Sequence, residues 1–255
     1  MEKKKIIIAN WKMHPLTDKE AEKLFVNLNK LTSRNKNAQI VICPPFIYLE
    51  RLKRLSRKII LGAQDALGGD VGPFTGEVSS QMLYEMGVRY VIIGHSERRA
   101  LGESNSFINK KIKGALSAGL RPILCVGEEA RDESHSYFNF VKTELEECLA
   151  GISKNSLPKI VIAYEPIWAI SSTQDRRDAT AHDSLEMAIF IRKVLSDKFG
   201  SVAADTRIIY GGSVNEKDAE SFLGGGGVDG LLVGKASLDT KKFVEIVKIS
   251  ENLNK

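Results

Sequence analysis

Short apolar runs recur along the whole chain, at residues 6–9, 39–43, 59–63, 90–93, 122–126, 160–164, 207–210 and 230–233. Most are rich in Ile and Val and alternate little with polar residues, the pattern of parallel strands buried on both faces. Segments with helical periodicity lie between them. TDKEAEKLFVNLNKL sets Ala21, Leu24, Phe25, Leu28 and Leu31 on one stripe, with Thr17 placed to cap and Glu20 three residues later. SHSYFNFVKTELEECL places Phe138, Val141, Leu145 and Cys148 in the same way, and HDSLEMAIFIRKVLSDKFG places Leu185, Ala188, Ile189, Ile191 and Leu195. Eight strand–helix units in 255 residues average about 32 residues each. Strict alternation implies a parallel sheet, either open and doubly wound or closed. Eight units in a chain of this length favour the closed eight-stranded parallel (β/α)8 barrel. No linker-like stretch divides the chain, so a single domain over residues 1–255 is expected, with glycines 224–227 forming a tight turn.

Composition changes this picture little. The chain is 43% hydrophobic and 27% charged, which is ordinary for a globular protein. Cys43, Cys125 and Cys148 are far apart and odd in number, so neither a disulfide framework nor a zinc site is expected, and the compartment reads as reducing, hence cytoplasmic. The first apolar run is too short for a signal peptide, and no stretch approaches the roughly 20 apolar residues of a membrane helix. A net charge of +5 suits a small anionic substrate. No nucleic-acid-binding motif accompanies it, and basic residues fall in surface-like helical segments such as LKRLSRK, so no nucleic-acid partner is expected.

The residues just past the strand ends carry the chemistry. The first run leads into Asn10-Trp11-Lys12, the third into Gln64-Asp65, and the fourth into Gly94-His95-Ser96-Glu97. The fifth ends in Gly127-Glu128, the sixth in Glu165, the seventh in Gly211-Gly212-Ser213 and the eighth in Gly234-Lys235. Polar residues and glycines thus gather at the C-terminal ends, where a barrel of this kind builds its site. His14, His95, His135 and His182 include no pair with metal-ligand spacing, so no histidine metal site is expected, and a P-loop is excluded because no GxxxxGK(S/T) occurs.

NWKM, GPFTGEVS, IIGHSERR, LCVGE, AYEPIWAI, YGGSV and DGLLVG, in that order and across almost the whole chain, resemble the triosephosphate isomerases. The resemblance implies a cofactor-free isomerase that interconverts dihydroxyacetone phosphate and D-glyceraldehyde 3-phosphate through an enediol. It implies that Glu165 is the base, that a neutral His95 is an electrophile, and that Lys12 and Asn10 act on the developing oxyanion. Glu97 would hold Lys12. Backbone groups of Ser171, Gly212, Ser213, Gly234 and Lys235 would grip the phosphate. That mechanism is the family's established one. The resemblance also implies a homodimer: the loop after the third strand would dock Thr75 into a second copy, near its Asn10 and His95.

Two segments depart from the family's pattern. Lys235 stands where VGGASL is usual, which requires backbone angles open to a non-glycine residue; its side chain is expected to point into water. SSTQDRRDAT replaces GTGKTAT in the loop that closes over substrate, three residues longer and without glycine. A looser closure and more loss of the enediol by phosphate elimination are expected from it. The alternative is a non-catalytic phosphosugar-binding barrel with an impaired lid. A base, an electrophile and a lysine retained together argue against a pure binder.

Overall fold

A computed structural model describes residues 4–56, 58–69, 72–170 and 177–253. Eight parallel strands close into a barrel in sequence order, β1 to β8, with β8 pairing back onto β1. The strands are β1 (Lys5–Asn10), β2 (Ala38–Cys43), β3 (Ile60–Ala63), β4 (Tyr90–Ile93), β5 (Arg121–Val126), β6 (Val161–Tyr164), β7 (Arg207–Tyr210) and β8 (Gly230–Val233). Nine helices alternate with them among the described residues: α1 (Asp18–Leu31), α2 (Leu49–Leu55), α3 (Ser80–Glu85), α4 (Ser96–Ala100), α5 (Asn105–Ser117), α6 (Ser136–Cys148), α7 (Ala181–Phe199), α8 (Ala219–Gly225) and α9 (Thr240–Asn252). No helix among the described residues is long and apolar enough to cross a membrane.

The near-continuous apolar strands arise because both of their faces are buried. One set of alternate residues, including Ile6, Ile8, Val41, Tyr90, Ile123 and Ile209, packs inside the barrel. The other set, including Ile7, Ala9, Ile42, Val91, Leu124 and Ile162, meets the helices. Parallel register brings the strand ends to one rim: Asn10 pairs with Cys43, Val126 with Tyr164, and Tyr164 with Tyr210.

The helices follow their sequence signals with local differences. Thr17 and Glu20 form a capping box at α1, which buries Ala21, Leu24, Phe25 and Leu28. Leu31, expected on that stripe, is 54% exposed because the helix ends there and the chain leaves the core. A second capping box, Thr180 with Asp183, starts α7. That helix buries Ser184, Met187, Ala188, Ile191, Val194, Leu195 and Phe199, so its inner face lies slightly round from the expected stripe. Ile189 is accordingly 60% exposed, and Leu185 is half-buried. In α6, Val141, Leu145 and Cys148 are buried, and the half-buried Phe138 packs on Phe190 with ring centroids 4.6 Å apart. Of the four glycines at 224–227, the first two complete the last turn of α8; only the remainder form the turn expected there.

Candidate active site

The C-terminal rim of the barrel holds a small pocket, open at its mouth, lined by Asn10, Lys12, His95, Glu165, Gly211, Gly212, Ser213, Gly234 and Lys235. Each strand delivers its residue by ending there. Glu165 follows β6 directly and is 2% exposed; its amide donates to the Val126 carbonyl at 2.8 Å. Its Oε2 accepts the Ser96 amide at 3.3 Å. Its Oε1 is buried without a hydrogen-bond donor among the described residues, and His95 Nε2 lies 3.4 Å from it.

His95 caps α4. Its Nδ1 accepts the Glu97 amide at 3.2 Å, so the ring proton belongs on Nε2, the nitrogen that faces Glu165. The strand end and helix start therefore fix both the position and the tautomer of the imidazole.

Lys12 has φ +51, a left-handed conformation that is uncommon and costly for a side-chain-bearing residue. Two contacts hold it there: its amide donates to Asn10 Oδ1 at 3.0 Å, and its carbonyl accepts Gln64 Nε2 at 2.8 Å. Its ammonium meets Glu97 Oε1 at 2.6 Å. Asn10 thus shapes the lysine turn as well as lining the pocket.

Opposite lie the glycine turns. A Cβ on Gly211 would come 2.8 Å from Glu165 Cγ, and one on Gly212 would come 2.2 Å from the Tyr210 hydroxyl, so neither position has room for a side chain. The Ser213 amide donates to the Ala169 carbonyl at 3.2 Å, so it is engaged with the segment just past Glu165. Gly234 precedes a 3-10 turn, Lys235–Leu238. Lys12 and His135 are the only described non-glycine residues with positive φ, so Lys235 sits in ordinary backbone, and its side chain is exposed.

Sequence reasoning passed over a buried hub beside the pocket. Glu128 Oε1 accepts from the Tyr164 hydroxyl at 2.8 Å, from Trp168 Nε1 at 2.9 Å and from Arg131 Nε at 3.2 Å. Burial first, and then the Glu128 carboxylate, pushes the Tyr164 hydroxyl up, which keeps it a donor. The Arg177 guanidinium lies 4.4 Å from the Trp168 ring, and its amide donates to the Trp168 carbonyl at 3.3 Å. The two described ends of the loop after β6 therefore touch. Glu128 and Gln64 were visible as polar residues ending strands; Arg131 gave no separate signal. Burial, reinforced by Glu165, holds Cys125 as a neutral thiol behind the base. Ser171 lies outside the described residues, as does most of the loop that departs from the family's pattern. Thr75 is exposed and does not line the pocket of its own chain.

The family model for triosephosphate isomerase matches residues 5–250. The chain belongs to the triosephosphate isomerase family. It is similar to the triosephosphate isomerase of Thermoanaerobacter sp. (strain X514), 42% identical over 95% of this chain and 98% of that one. It is also similar to that of Aquifex aeolicus (strain VF5), 42% identical over 96% and 98%. The triosephosphate isomerase of Dehalococcoides mccartyi (strain CBDB1) is 45% identical over 95% of each chain. Such coverage leaves no room for a different architecture, and triosephosphate isomerases are isomerases built on the closed barrel described above.

Proposed function

We propose that the chain interconverts dihydroxyacetone phosphate and D-glyceraldehyde 3-phosphate, as a step of glycolysis and gluconeogenesis, with Glu165 as base and His95 and Lys12 as electrophiles. The observation that carries the reading is the placement of the buried Glu165 Oε1, which has no hydrogen bond of good geometry among the described residues, 3.4 Å from His95 Nε2 at the mouth of the pocket. Isomerisation needs a base at the carbon next to a carbonyl and a donor at its oxygen. Glu165 takes a proton from one carbon and returns it to its neighbour. His95 Nε2–H donates to the oxygen on which charge develops, and Lys12, steadied by Glu97, adds fixed positive charge. Asn10 supports the same region. The phosphate lies against the amides of Gly212, Gly234 and Lys235, where missing side chains and a turn start admit an anion. The Ser213 amide joins them by exchanging its bond to Ala169, and Ser171 completes the grip from outside the described residues. The chain works as one barrel domain without a cofactor.

We also infer a cytoplasmic homodimer. Met13, Leu16, Ile47, Phe74 and Leu101 are each at least 52% exposed and follow four neighbouring strands, β1 to β4. An apolar face of that kind suits a second copy. Thr75, next to Phe74, would reach the other copy. All three cysteines are free thiols and buried, which suits a reducing compartment.

Turnover measured in a coupled assay tests the enzymatic reading. Glu165→Gln is expected to lower kcat by ~10²–10⁴-fold, the usual worth of a positioned base. Wild-type protein that binds triose phosphate without turning it over would instead mark a binding protein, and turnover unaffected by the substitution would remove Glu165 from the mechanism.

A further inference from the structure

Arg99, on α4, reaches into the wall between β4 and β5. Its guanidinium donates to the carbonyls of Gly94 (2.8 Å) and Cys125 (3.1 Å) and to Asn105 Oδ1 (2.6 Å). Its Nη1 also lies 3.1 Å from Oε1 of Glu144, an α6 residue that is 4% exposed. The other Glu144 oxygen accepts the Gly127 amide at 2.9 Å. Both contacts lead to the candidate catalytic pair. Gly94 directly precedes His95. Gly127 lies flat against the backbone of Glu165: a Cβ there would be 2.0 Å from the Glu165 carbonyl oxygen. One buried carboxylate therefore reaches Glu165 through the Gly127 backbone and His95 through Arg99 and then Gly94.

We propose that Glu144 is a positioning residue for the isomerisation, which sets the separation of His95 and Glu165 by gripping Arg99 on one side and the Gly127 amide on the other. The proposal rests on the isomerase reading above. Burying a carboxylate is a costly way to fill space, and an apolar side chain would serve packing better. What the carboxylate adds is two acceptors of fixed direction. Burial raises Glu144 to about 7, against the opposing pull of Arg99 and the Gly127 amide. The charged and titratable groups facing it are Arg99 from α4, Cys125 and Glu165 at the rim, Glu128 after β5, and Cys148 on its own helix. Glu144 and Arg99 also line an open groove between α4, α5 and α6, which gives protons a route in.

The two forms of Glu144 then favour different things. Because its folded value is raised, the stability it contributes is fully present below the ordinary carboxylate range and is lost as pH rises to about 7. Ionisation in that window strengthens the hydrogen bonds to Arg99 and Gly127, since charge-assisted bonds are the stronger ones. The protein gives up stability and gains a tighter site.

The test compares kcat and KM of wild type, Glu144→Gln and Glu144→Leu from pH 5.5 to 9, together with thermal stability. Gln keeps an oxygen for Gly127 but never ionises, so it mimics the protonated form. The ratio of wild-type to Glu144→Gln kcat is expected to rise from near one in acid to about three- to fivefold in base, with its midpoint near Glu144's own titration and KM little changed. Above that midpoint Glu144→Gln should melt no lower than wild type while turning over more slowly. Glu144→Leu, with no acceptor, should lose about tenfold or more in kcat, because small displacements of reacting groups are costly. A kcat ratio independent of pH, or a Glu144→Leu enzyme as fast as wild type, overturns the proposal. If Glu144→Leu does not fold, the pH dependence of the Gln ratio decides alone. Absence of wild-type turnover would sink the isomerase reading; normal turnover with a flat ratio sinks only this one.

Discussion

A methyl group on Gly212 would sit 2.2 Å from the Tyr210 hydroxyl, and Tyr210 in turn stacks on Phe222 with ring centroids 4.1 Å apart. The tyrosine cannot step back without disturbing α8. Gly212→Ala is therefore expected to cost ~1–3 kcal/mol through overpacking. Its amide is also part of the proposed phosphate grip, so KM for triose phosphate should rise by more than kcat falls. Steady-state kinetics beside a melting curve checks both; an unchanged KM would remove this turn from the phosphate site. At this scale the sequence made plain the residues that end strands, since Asn10, Lys12, His95, Glu165, Gly212 and Gly234 all stand within three positions of the end of an apolar run. Gln64 stood in the same kind of place, yet its role is a bond to the carbonyl of Lys12, 52 residues earlier. Arg131, inside a polar loop, looked like any solvated cation and instead lies against Glu128, Tyr164 and Trp168. Such roles come from long-range geometry, which periodicity does not carry.

Among the elements, α5 shows how far a helix can depart from its surface appearance. Lys111 gives no sign of burial in a stretch reading NKKIKGAL, yet it is 1% exposed. Its ammonium meets both Asp65 oxygens at 2.7 and 2.8 Å and Glu103 at 2.6 Å, with Arg98 on the far side of the same carboxylates. Burial still raises Asp65 despite the lysine. Lys111→Met would leave two carboxylates facing each other with only the half-exposed Arg98 between them. A loss of ~3–5 kcal/mol is expected in denaturant unfolding at neutral pH. The loss should shrink in acid, where the carboxylates take up protons. A variant as stable as wild type would show the cluster to be dispensable. The eight strands and the three helices whose periodicity stood out, α1, α6 and α7, were readable to within a residue or two. The inner face of α7 was not: Ile189 fits the expected stripe but faces outward, and only packing against the neighbouring helices decides between adjacent faces.

The whole barrel can be read by counting eight alternating units, and strand order then leaves little freedom. The proposed assembly with a second copy rests on the exposed apolar side chains after β1 to β4. Phe74, 52% exposed beside Thr75, is at the tip of the loop proposed to dock. Light scattering after size exclusion is expected to give twice the chain mass for wild type and a single chain mass for Phe74→Asp, with turnover reduced in the monomer. A monomeric wild type would overturn the assembly.

Closure of the ring also sets a condition on how the chain is made. β8 is the last strand to leave the ribosome, and it is the one that joins β7 to β1 through pairs such as Ile8 with Leu232 and Tyr210 with Leu231. Until residues 230–233 arrive, a nascent chain carries two bare strand edges, one at each flank of an open sheet. Bare edges are templates for pairing with other chains. The short seam at residues 230–233 is thus what removes both edges at once.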